Sequence, residues 1–394
     1  MNKLTLSAAT VALATTATGA LAGGLDRATF SSAILFEEGT HAEISFATTS
    51  PKVSPQTDTA FGGAALNSAW QVTERFNTGI VRFKTDLSDK VAIAFEVNNN
   101  PYGVDINYGA FAASAFSAVS DLASLSANLS SSAMTLSGKY KVTDRFSVIG
   151  ALKLVEIGGS ANVSVPLAAG IGAGAVTSIG LADIGAGAGI VTLEGDSAIA
   201  PIIGVSYEIP DIALRVAASY ELGVETNPIV NSINPTYSGG AGSIKTPDVM
   251  LLEFQSGVAK DTLVFGAIRR ANWSDAQVTM SAVYDNLQLS DFDDSTTYTI
   301  GVGRRFSDKF SGSLTLTHAP SDCDSVSLLA PTCENNTLSI GGKYSVGNGT
   351  AISAGVSFRK YKTATSSSIS PESGSIVFDG DTLRTVGVKV SRKF

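Results

Sequence analysis

The last stretch of the sequence, residues 381–394, alternates between apolar and polar side chains with a period of two. The two parities separate cleanly, with Val386, Val388 and Val390 on one and Lys389 and Ser391 on the other. Because side chains of a β-strand point to alternate faces, this pattern predicts a strand with one apolar face and one polar face. A soluble strand over a core would look the same, but here the alternation recurs in segments of about ten residues, the length of a tilted membrane-crossing strand. The pattern therefore favours a transmembrane β-barrel.

The N-terminus carries the pattern of a secretory signal peptide. Lys3 precedes an apolar stretch rich in Ala and Thr, and Ala20-Leu21-Ala22 forms a small-residue cleavage site before Gly23. Residues 1–22 are therefore predicted to be a signal peptide and are set aside from the fold. The formal net charge of −8 argues against nucleic acid as a partner.

No strongly apolar run after the signal is long enough for a spanning helix. Residues 163–193 come nearest, but they consist largely of Gly and Ala and include Pro166 and Asp183. The mean hydropathy of the chain is nevertheless positive. Apolar residues spread over alternate positions, as in a lipid-facing barrel, account for both observations.

Short polar turns separate the alternating segments, whereas the connections between one turn and the next are long. The turns are predicted at residues 87–90, 142–145, 209–211, 259–261, 306–309 and 346–349. Together with a first strand at His41 and a last strand ending at Phe394, they predict an all-β fold, a transmembrane antiparallel barrel of about fourteen strands. The predicted strands are 41–50, 76–87, 90–98, 131–142, 145–157, 196–209, 211–222, 247–258, 261–272, 294–306, 309–318, 335–346, 350–361 and 381–394. The barrel is thus expected to occupy residues 41–394.

Residues 23–40 show neither alternation nor a helical pattern. The consecutive apolar residues Ile34, Leu35 and Phe36 are unfavourable in a solvated tail. We therefore predict that this segment folds into the barrel as a short N-terminal hatch, with a free tail as the alternative.

Two features stand out in the predicted long loops. Phe116, Leu122 and Leu125 recur at helical spacing, which predicts an amphipathic helix over the barrel mouth that either packs the loops together or contacts a ligand. Cys323 and Cys333 are close together in an exported chain and are predicted to form a disulfide within one loop.

The sequence offers little for catalysis. His41 and His318 are predicted at opposite ends of the barrel and cannot share a site. Asp291, Asp293 and Asp294 could in principle form an acidic protease site, but a solvated loop is by far the commoner origin of such a cluster of carboxylates. No phosphate loop, dinucleotide motif or metal-ligand spacing is present. We therefore predict that the chain is not an enzyme and needs no cofactor or metal.

The predicted lumen is basic but also partly apolar. Its inward-facing cations are Arg82, Lys84, Lys139, Lys153, Arg215, Lys343 and Arg359, and Val155, Val264 and Ile268 are predicted to face inward among them. Such a lining favours the passage of a hydrophobic molecule, with Lys153 and Arg215 as possible partners for an acidic head group. A general porin for small polar solutes, and a surface structural or adhesion barrel, remain alternatives.

Several segments resemble the FadL/TodX family of outer-membrane transporters for long-chain fatty acids and other hydrophobic compounds. They are residues 34–39, 101–103, 246–247, 254–257, 261–266, 273–274 and 298–306. The resemblance implies ligand capture between outer loops, an N-terminal hatch and release sideways through the wall. It points to Phe30, Ile34, Leu35 and Phe36 as the gate, and to Phe116, Leu122 and Leu125 as part of an outer capture site.

The resemblance to bacterial outer-membrane barrels also predicts the cellular setting. Both termini would be periplasmic, outer-membrane lipid and lipopolysaccharide would surround the barrel, and the protein would be a monomer. The last strand, which ends at Phe394, would be recognised by the barrel assembly machinery.

Overall fold

The computed structural model describes residues 24–57, 71–108, 126–163, 189–232, 240–280, 287–366 and 376–394. Within these ranges, fourteen long strands form a closed antiparallel barrel. We number them β1 His41–Lys52, β2 Phe76–Asp86, β3 Val91–Asn98, β4 Ser126–Lys141, β5 Phe146–Val163, β6 Gly189–Ile209, β7 Leu214–Glu221, β8 Val249–Ala259, β9 Thr262–Ala271, β10 Ser295–Arg305, β11 Phe310–Ala319, β12 Asn335–Gly347, β13 Thr350–Tyr361 and β14 Thr382–Lys393. The predicted signal peptide and the predicted helix with Phe116, Leu122 and Leu125 lie outside the described residues.

The barrel closes because β1 pairs on both sides. It runs antiparallel to β2 from His41↔Lys84 to Thr49↔Phe76, and antiparallel to β14 from His41↔Lys393 to Lys52↔Thr382. The prediction of about fourteen antiparallel strands is confirmed. The strands that exceed their predicted lengths most are β4, β5 and β6. The extensions of β4 and β5 are rich in Ser, Gly and Ala and therefore show weak alternation.

The two faces of the wall have the polarity expected for a barrel in lipid. On β14, Val386, Val388 and Val390 are 59%, 49% and 43% exposed on the outside, while Thr385 and Lys389 are buried inside. The predicted inward cations do face the lumen, as their buried or half-buried side chains show. Apolar side chains are thus exposed on the outside and polar side chains are buried inside. This arrangement is the reverse of that in a soluble protein and is typical of a membrane-spanning barrel.

The prediction that Val264 and Ile268 face the lumen is wrong. On β9 the buried side chains are Leu263, Phe265 and Arg269, so Val264 and Ile268 fall on the opposite, outward parity. Val155 does face inward and is fully buried.

The two ends of the barrel differ. At the turn end, where β1 begins and β14 finishes, short turns join the strands. At the loop end, the described residues form a cap that includes a small sheet of Pro55–Thr57, Val377–Phe378 and Ala364–Thr365. A disulfide between Cys323 and Cys333 lies in this cap, and Val326 bridges to Ser366.

None of the helices formed by the described residues is both long enough and apolar enough to span a membrane.

Candidate functional site

The N-terminal segment, residues 24–40, runs through the lumen from near the loop end to the turn end. Its position is defined by side chains at successive levels of the wall. Leu251, Glu253 and Gln255 follow one another along β8 toward the turn end. Leu251 lies opposite Arg269 of β9, and Gln255 lies opposite Arg215 of β7. Contacts of the segment with Arg269, Glu253 and Arg215 therefore lie at three successive levels. The segment thus occupies the lumen at three levels.

The contact nearest the loop end is a buried ion pair. Asp26 Oδ2 lies 2.8 Å from Arg269 Nη2 and accepts a hydrogen bond from the Trp273 indole N–H at 3.1 Å. Asp26 is 1% exposed and Arg269 is 5% exposed. Among the described residues, no partner contacts Arg269 Nε or Nη1, and none contacts Asp26 Oδ1. A buried guanidinium with two open donors is costly unless its counter-charge stays in place.

The middle contact anchors a short 3₁₀ turn, Ser32–Phe36. Ser31 caps the turn by accepting a hydrogen bond from the Ala33 N–H at 3.2 Å. The hydroxyls of Ser31 and Ser32 donate to the two carboxylate oxygens of Glu253, at 2.7 and 3.0 Å. One wall carboxylate thus fixes the start of the turn.

A third contact, further toward the turn end, holds an aromatic ring between two cations. The Phe36 ring lies 4.0 Å from Lys139 Nζ and 4.4 Å from Arg215 Cζ, both within cation–π distance. Ile34 and Leu35 pack with Ala94 and Ile149 of the wall. The four residues predicted to form a gate thus lie in the lumen, with Phe30 beside the cavity described next.

A small cavity lies between the N-terminal segment and the wall. Its lining includes Asp26, Phe30, Leu251 and Arg269. Its volume of about 10 Å³ holds one water molecule at most. A hydrophobic molecule cannot occupy this part of the lumen unless the N-terminal segment moves.

Lys153, one of the two predicted partners for an acidic head group, already forms an ion pair with a carboxylate of the wall. Its ammonium contacts Glu221 and donates to the Tyr102 hydroxyl at 3.0 Å. Arg215, the other, stacks on Phe36 and forms no ion pair with any carboxylate in the described part of the chain. The structure does not bring these two cations together. Arg269, in contrast, has two fully buried donors without a hydrogen-bond partner among the described residues.

Among the described residues, the strand pairing of the wall is interrupted by a gap between β2 and the chain that follows β3. The ladder of β2 and β3 ends at Ile80↔Asn98, and residues 99–102 then turn into the lumen. Pairing is regained only at the hydrogen bond from the Glu74 N–H to the Asp105 carbonyl, at 3.0 Å. Pro101 lies in this interruption, and it has no N–H to contribute to a ladder.

Inside the gap, the N-terminal segment replaces the missing strand partner. The N–H groups of Arg27 and Ala28 donate to the Pro101 carbonyl at 2.8 and 3.1 Å. The Arg27 guanidinium stacks 4.2 Å over Phe76 of β2. At this edge of β2, Asn99 donates its N–H to the Gly79 carbonyl and accepts the Gly79 N–H at its side-chain oxygen. The Asn100 side-chain amide donates to the Asn77 carbonyl. Movement of the N-terminal segment would therefore leave this gap uncovered.

The cap at the loop end contains a carboxyl group that titrates near neutrality. Burial raises the pKa of Asp381 to about 7, and the nearby charge of Asp379 adds to the shift. The Ser54 N–H, which donates to Asp381 Oδ1 at 3.0 Å, and the charge of Lys52 oppose it. The hydroxyl of Tyr108 also faces Asp381, whose charge raises the pKa of that phenol further beyond the effect of burial.

This shift predicts a pH-dependent local stability. Because the folded pKa lies above the unfolded value of about 3.9, the folded state holds the proton more tightly, and stability should fall as pH rises through 7. We expect amide exchange at Ser54 and Tyr361, corrected for its intrinsic rate, to accelerate between pH of about 5 and about 8. Asp381→Asn should remove this dependence, and an unchanged dependence in that variant would contradict the assignment.

Asp294, one of the three carboxylates considered for acid catalysis, has structural partners. Asp294 accepts hydrogen bonds from the Ser274 N–H and hydroxyl at 3.1 and 2.7 Å, and it faces Arg270 at 3.5 Å. These contacts with Ser274 and Arg270 hold the pKa of Asp294 below its usual range despite partial desolvation. His41 and His318 lie at the turn end and near the loop end, respectively.

Comparisons with known proteins agree with this architecture. A FadL homologue of Pseudomonas aeruginosa has a TM-score of 0.72 at 13% identity, over 96% of this chain and 98% of that one. The toluene transporter TodX of Pseudomonas putida has a TM-score of 0.64 at 14% identity, over 96% of this chain and 97% of that one. The toluene transporter TbuX of Ralstonia pickettii has a TM-score of 0.60 at 15% identity, over 96% and 97%.

No family model matches the sequence, and no curated protein matches it. The structural similarity nevertheless extends over almost the whole of each chain. The chain therefore has the fourteen-strand barrel fold of the FadL and TodX transporters.

Proposed function

We propose that this protein takes up hydrophobic molecules across the outer membrane by passive diffusion, with the N-terminal segment acting as a hatch. The observation that carries the proposal is the lumen itself. Residues 24–40 fill it at three levels, and the cavity beside them holds one water molecule at most. A general porin needs a continuous aqueous bore, whereas in the described part of this chain the N-terminal segment occupies the lumen at all three levels. The names of TodX and TbuX, both toluene transporters, support a hydrophobic cargo.

Release through the gap beside β2 is the route that the contacts favour. The backbone of Arg27 and Ala28 covers the gap from the inside, so displacement of the hatch by an incoming ligand would open the wall at the same place. An apolar molecule leaving through the wall enters lipid directly and never has to be hydrated. Sideways release would also leave the buried ionic contacts toward the turn end intact.

Locking this gap tests the route. Gly79 and Asn99 face each other across it, since a Cβ built on Gly79 lies 3.5 Å from the Asn99 amide nitrogen. Oxidising the variant Gly79→Cys/Asn99→Cys should slow uptake of an aromatic hydrocarbon into cells at least about tenfold, and reduction should restore it. The matched control is Phe83→Cys/Phe95→Cys, which places an outward cysteine pair within the intact ladder of β2 and β3. Both variants keep the native disulfide between Cys323 and Cys333, so reduction affects that bond equally in the two. Equal uptake by the oxidised lock and the oxidised control would place the exit elsewhere.

Arg269 is a candidate for recognising an acidic head group. Its open Nε and Nη1 donors line the lumenal cavity together with Phe30 and Leu251. A planar carboxylate accepts two parallel hydrogen bonds from such a guanidinium. We infer that amphiphilic acids, as well as neutral hydrocarbons, fit this position once the hatch has moved.

We also propose the orientation of the barrel. The short turns and both termini would be periplasmic, and the cap would face outward, since long loops are extracellular in outer-membrane barrels. Phe394 is 68% exposed at the turn end, where the assembly machinery would reach it. A monomer is consistent with a wall that closes on itself through β1 and β14.

A further inference from the structure

The outward face of the wall changes from apolar to basic at one level near the loop end. Cross-strand pairing places five outward positions on one line around β11, β12, β13, β14 and β1: His318, Asn336, Lys360, Thr382 and Lys52. On β11, β12 and β13, the outward residues on the turn side of this line are aliphatic or aromatic, as in Leu316, Leu338 and Phe358. On these three strands, the line therefore marks the position where hydrocarbon meets the polar head groups.

Three cations cluster at one end of this line. Lys360 and Lys52 flank Thr382 on the two neighbouring strands, roughly 10 Å apart at the backbone. Arg384, the next outward residue of β14, lies between Phe358 and Ser50. These side chains surround a common patch of outer surface.

None of the three cations forms an ion pair with a carboxylate among the residues that the structure describes. The nearby Asp379 is held by the hydroxyl of Thr363 at 2.6 Å, and Asp381 is buried and accepts the Ser54 N–H. Other cations at the loop end are paired, with Arg270 on Asp294 at 3.5 Å and Lys362 on Glu334 at 2.6 Å. The charges of Asp379 and Asp381 partly offset those of Lys360 and Lys52, but three cations face two carboxylates, so the cluster keeps a net positive charge.

An apolar groove adjoins the cluster on the lipid-facing surface. It has a volume of about 610 Å³ and is lined by outward side chains of β10–β13, among them Tyr298, Ile300, Leu316 and Phe358, together with Lys360 and Arg384. A groove of this kind accommodates an acyl chain, while the cations at its edge accommodate a negative head group. A free phosphate ion would use only the second feature.

We infer that Lys52, Lys360 and Arg384 form a binding site for the phosphorylated head group of an outer-leaflet lipid, with an acyl chain in the adjoining groove. The inference rests on the outward orientation of the loop end proposed above. Basic residues at a membrane surface each strengthen binding of an anionic lipid about fivefold. Removal of all three should therefore weaken binding at least about tenfold, even if their effects overlap.

The test is native mass spectrometry of the full-length barrel in detergent, titrated with bisphosphorylated lipid A. The unchanged protein should retain lipid A in preference to its dephosphorylated form. The variant Lys52→Gln/Lys360→Gln/Arg384→Gln should lose that preference and bind lipid A at least about tenfold more weakly. The matched control Lys245→Gln/Arg270→Gln/Lys362→Gln removes the same charge from paired cations, so it should retain binding.

Three results would overturn the site: equal loss in both variants, equal binding of phosphorylated and dephosphorylated lipid, or full competition by inorganic phosphate. All three cations lie outside the lumen, so hydrocarbon uptake should be unchanged in the variant. Failure of uptake in the unchanged protein would therefore count against the proposed transport function and leave lipid binding as a separate result.

Discussion

Removal of the hatch contacts with Ser31→Ala, Ser32→Ala and Phe36→Ala should turn a closed barrel into a conducting one. Two hydroxyls would no longer bind Glu253, and no ring would lie between Lys139 and Arg215. Hydrogen bonds to a charged group contribute about 2 kcal/mol each, and a buried cation–π contact contributes about 1 kcal/mol. Their combined loss, on the order of 5 kcal/mol, would shift the ratio of open to closed hatch by about five thousandfold.

Single-channel recording in planar bilayers measures this change directly. The unchanged protein should show little conductance, and the triple variant should show long open periods. A control with Ser353→Ala, Ser357→Ala and Tyr361→Ala makes similar truncations on β13, away from the N-terminal segment. Deleting residues 25–36 should mimic the triple variant and alter uptake. A large steady conductance of the unchanged protein would favour the porin alternative, and a silent triple variant would reject the gate.

The second large effect is expected from Asp26→Asn. This substitution leaves the Arg269 guanidinium buried without its counter-charge, a change that costs about 3–5 kcal/mol in proteins. The amide can still accept the Trp273 N–H, so the loss should be electrostatic. We expect the part of the hatch near the loop end to detach, with faster amide exchange at Arg27, Ala28 and Gly103, whose N–H groups bond to Pro101 and Leu25 carbonyls.

A second substitution distinguishes the loss of charge balance from the loss of a contact. Adding Arg269→Met to Asp26→Asn removes the stranded cation, so exchange at these amides should slow again. An alkyl carboxylate should also protect the Asp26→Asn variant, whereas the matching alcohol should not, because only the acid replaces the missing charge. Normal exchange in the single variant would show that the ion pair does not hold the hatch.

The sequence revealed the wall because most strands differ in polarity between their faces. On β14, valines alternate with Lys389 and Ser391, so both the strand and its orientation could be predicted. On β9 the same reasoning failed, since Leu263 and Phe265 on one face resemble Val264 and Ile268 on the other. Arg269 and Arg270 are adjacent and therefore lie on opposite faces, so they did not indicate which face of β9 lines the lumen. This ambiguity is why Arg269, the cation with open donors, was missed.

Contacts between distant residues could not be predicted from local pattern. Lys153 was correctly placed in the lumen, but its partner Glu221 lies 68 residues away on another strand. Ser31 and Glu253 are separated by 222 residues. The wall gap did leave a local signal, because Pro101 after Asn99 and Asn100 cannot continue a ladder.

The pairing of β1 with β14 has a consequence for how the protein is made. The ring joins residue 41 to residue 393, so ribosomal synthesis must be complete before its two free edges can meet. Until that moment, each growing sheet exposes unpaired N–H and C=O groups that invite self-association during transit to the membrane. A stop codon that removes only the final strand would therefore abolish the enclosure altogether, since every other strand would belong to an open sheet.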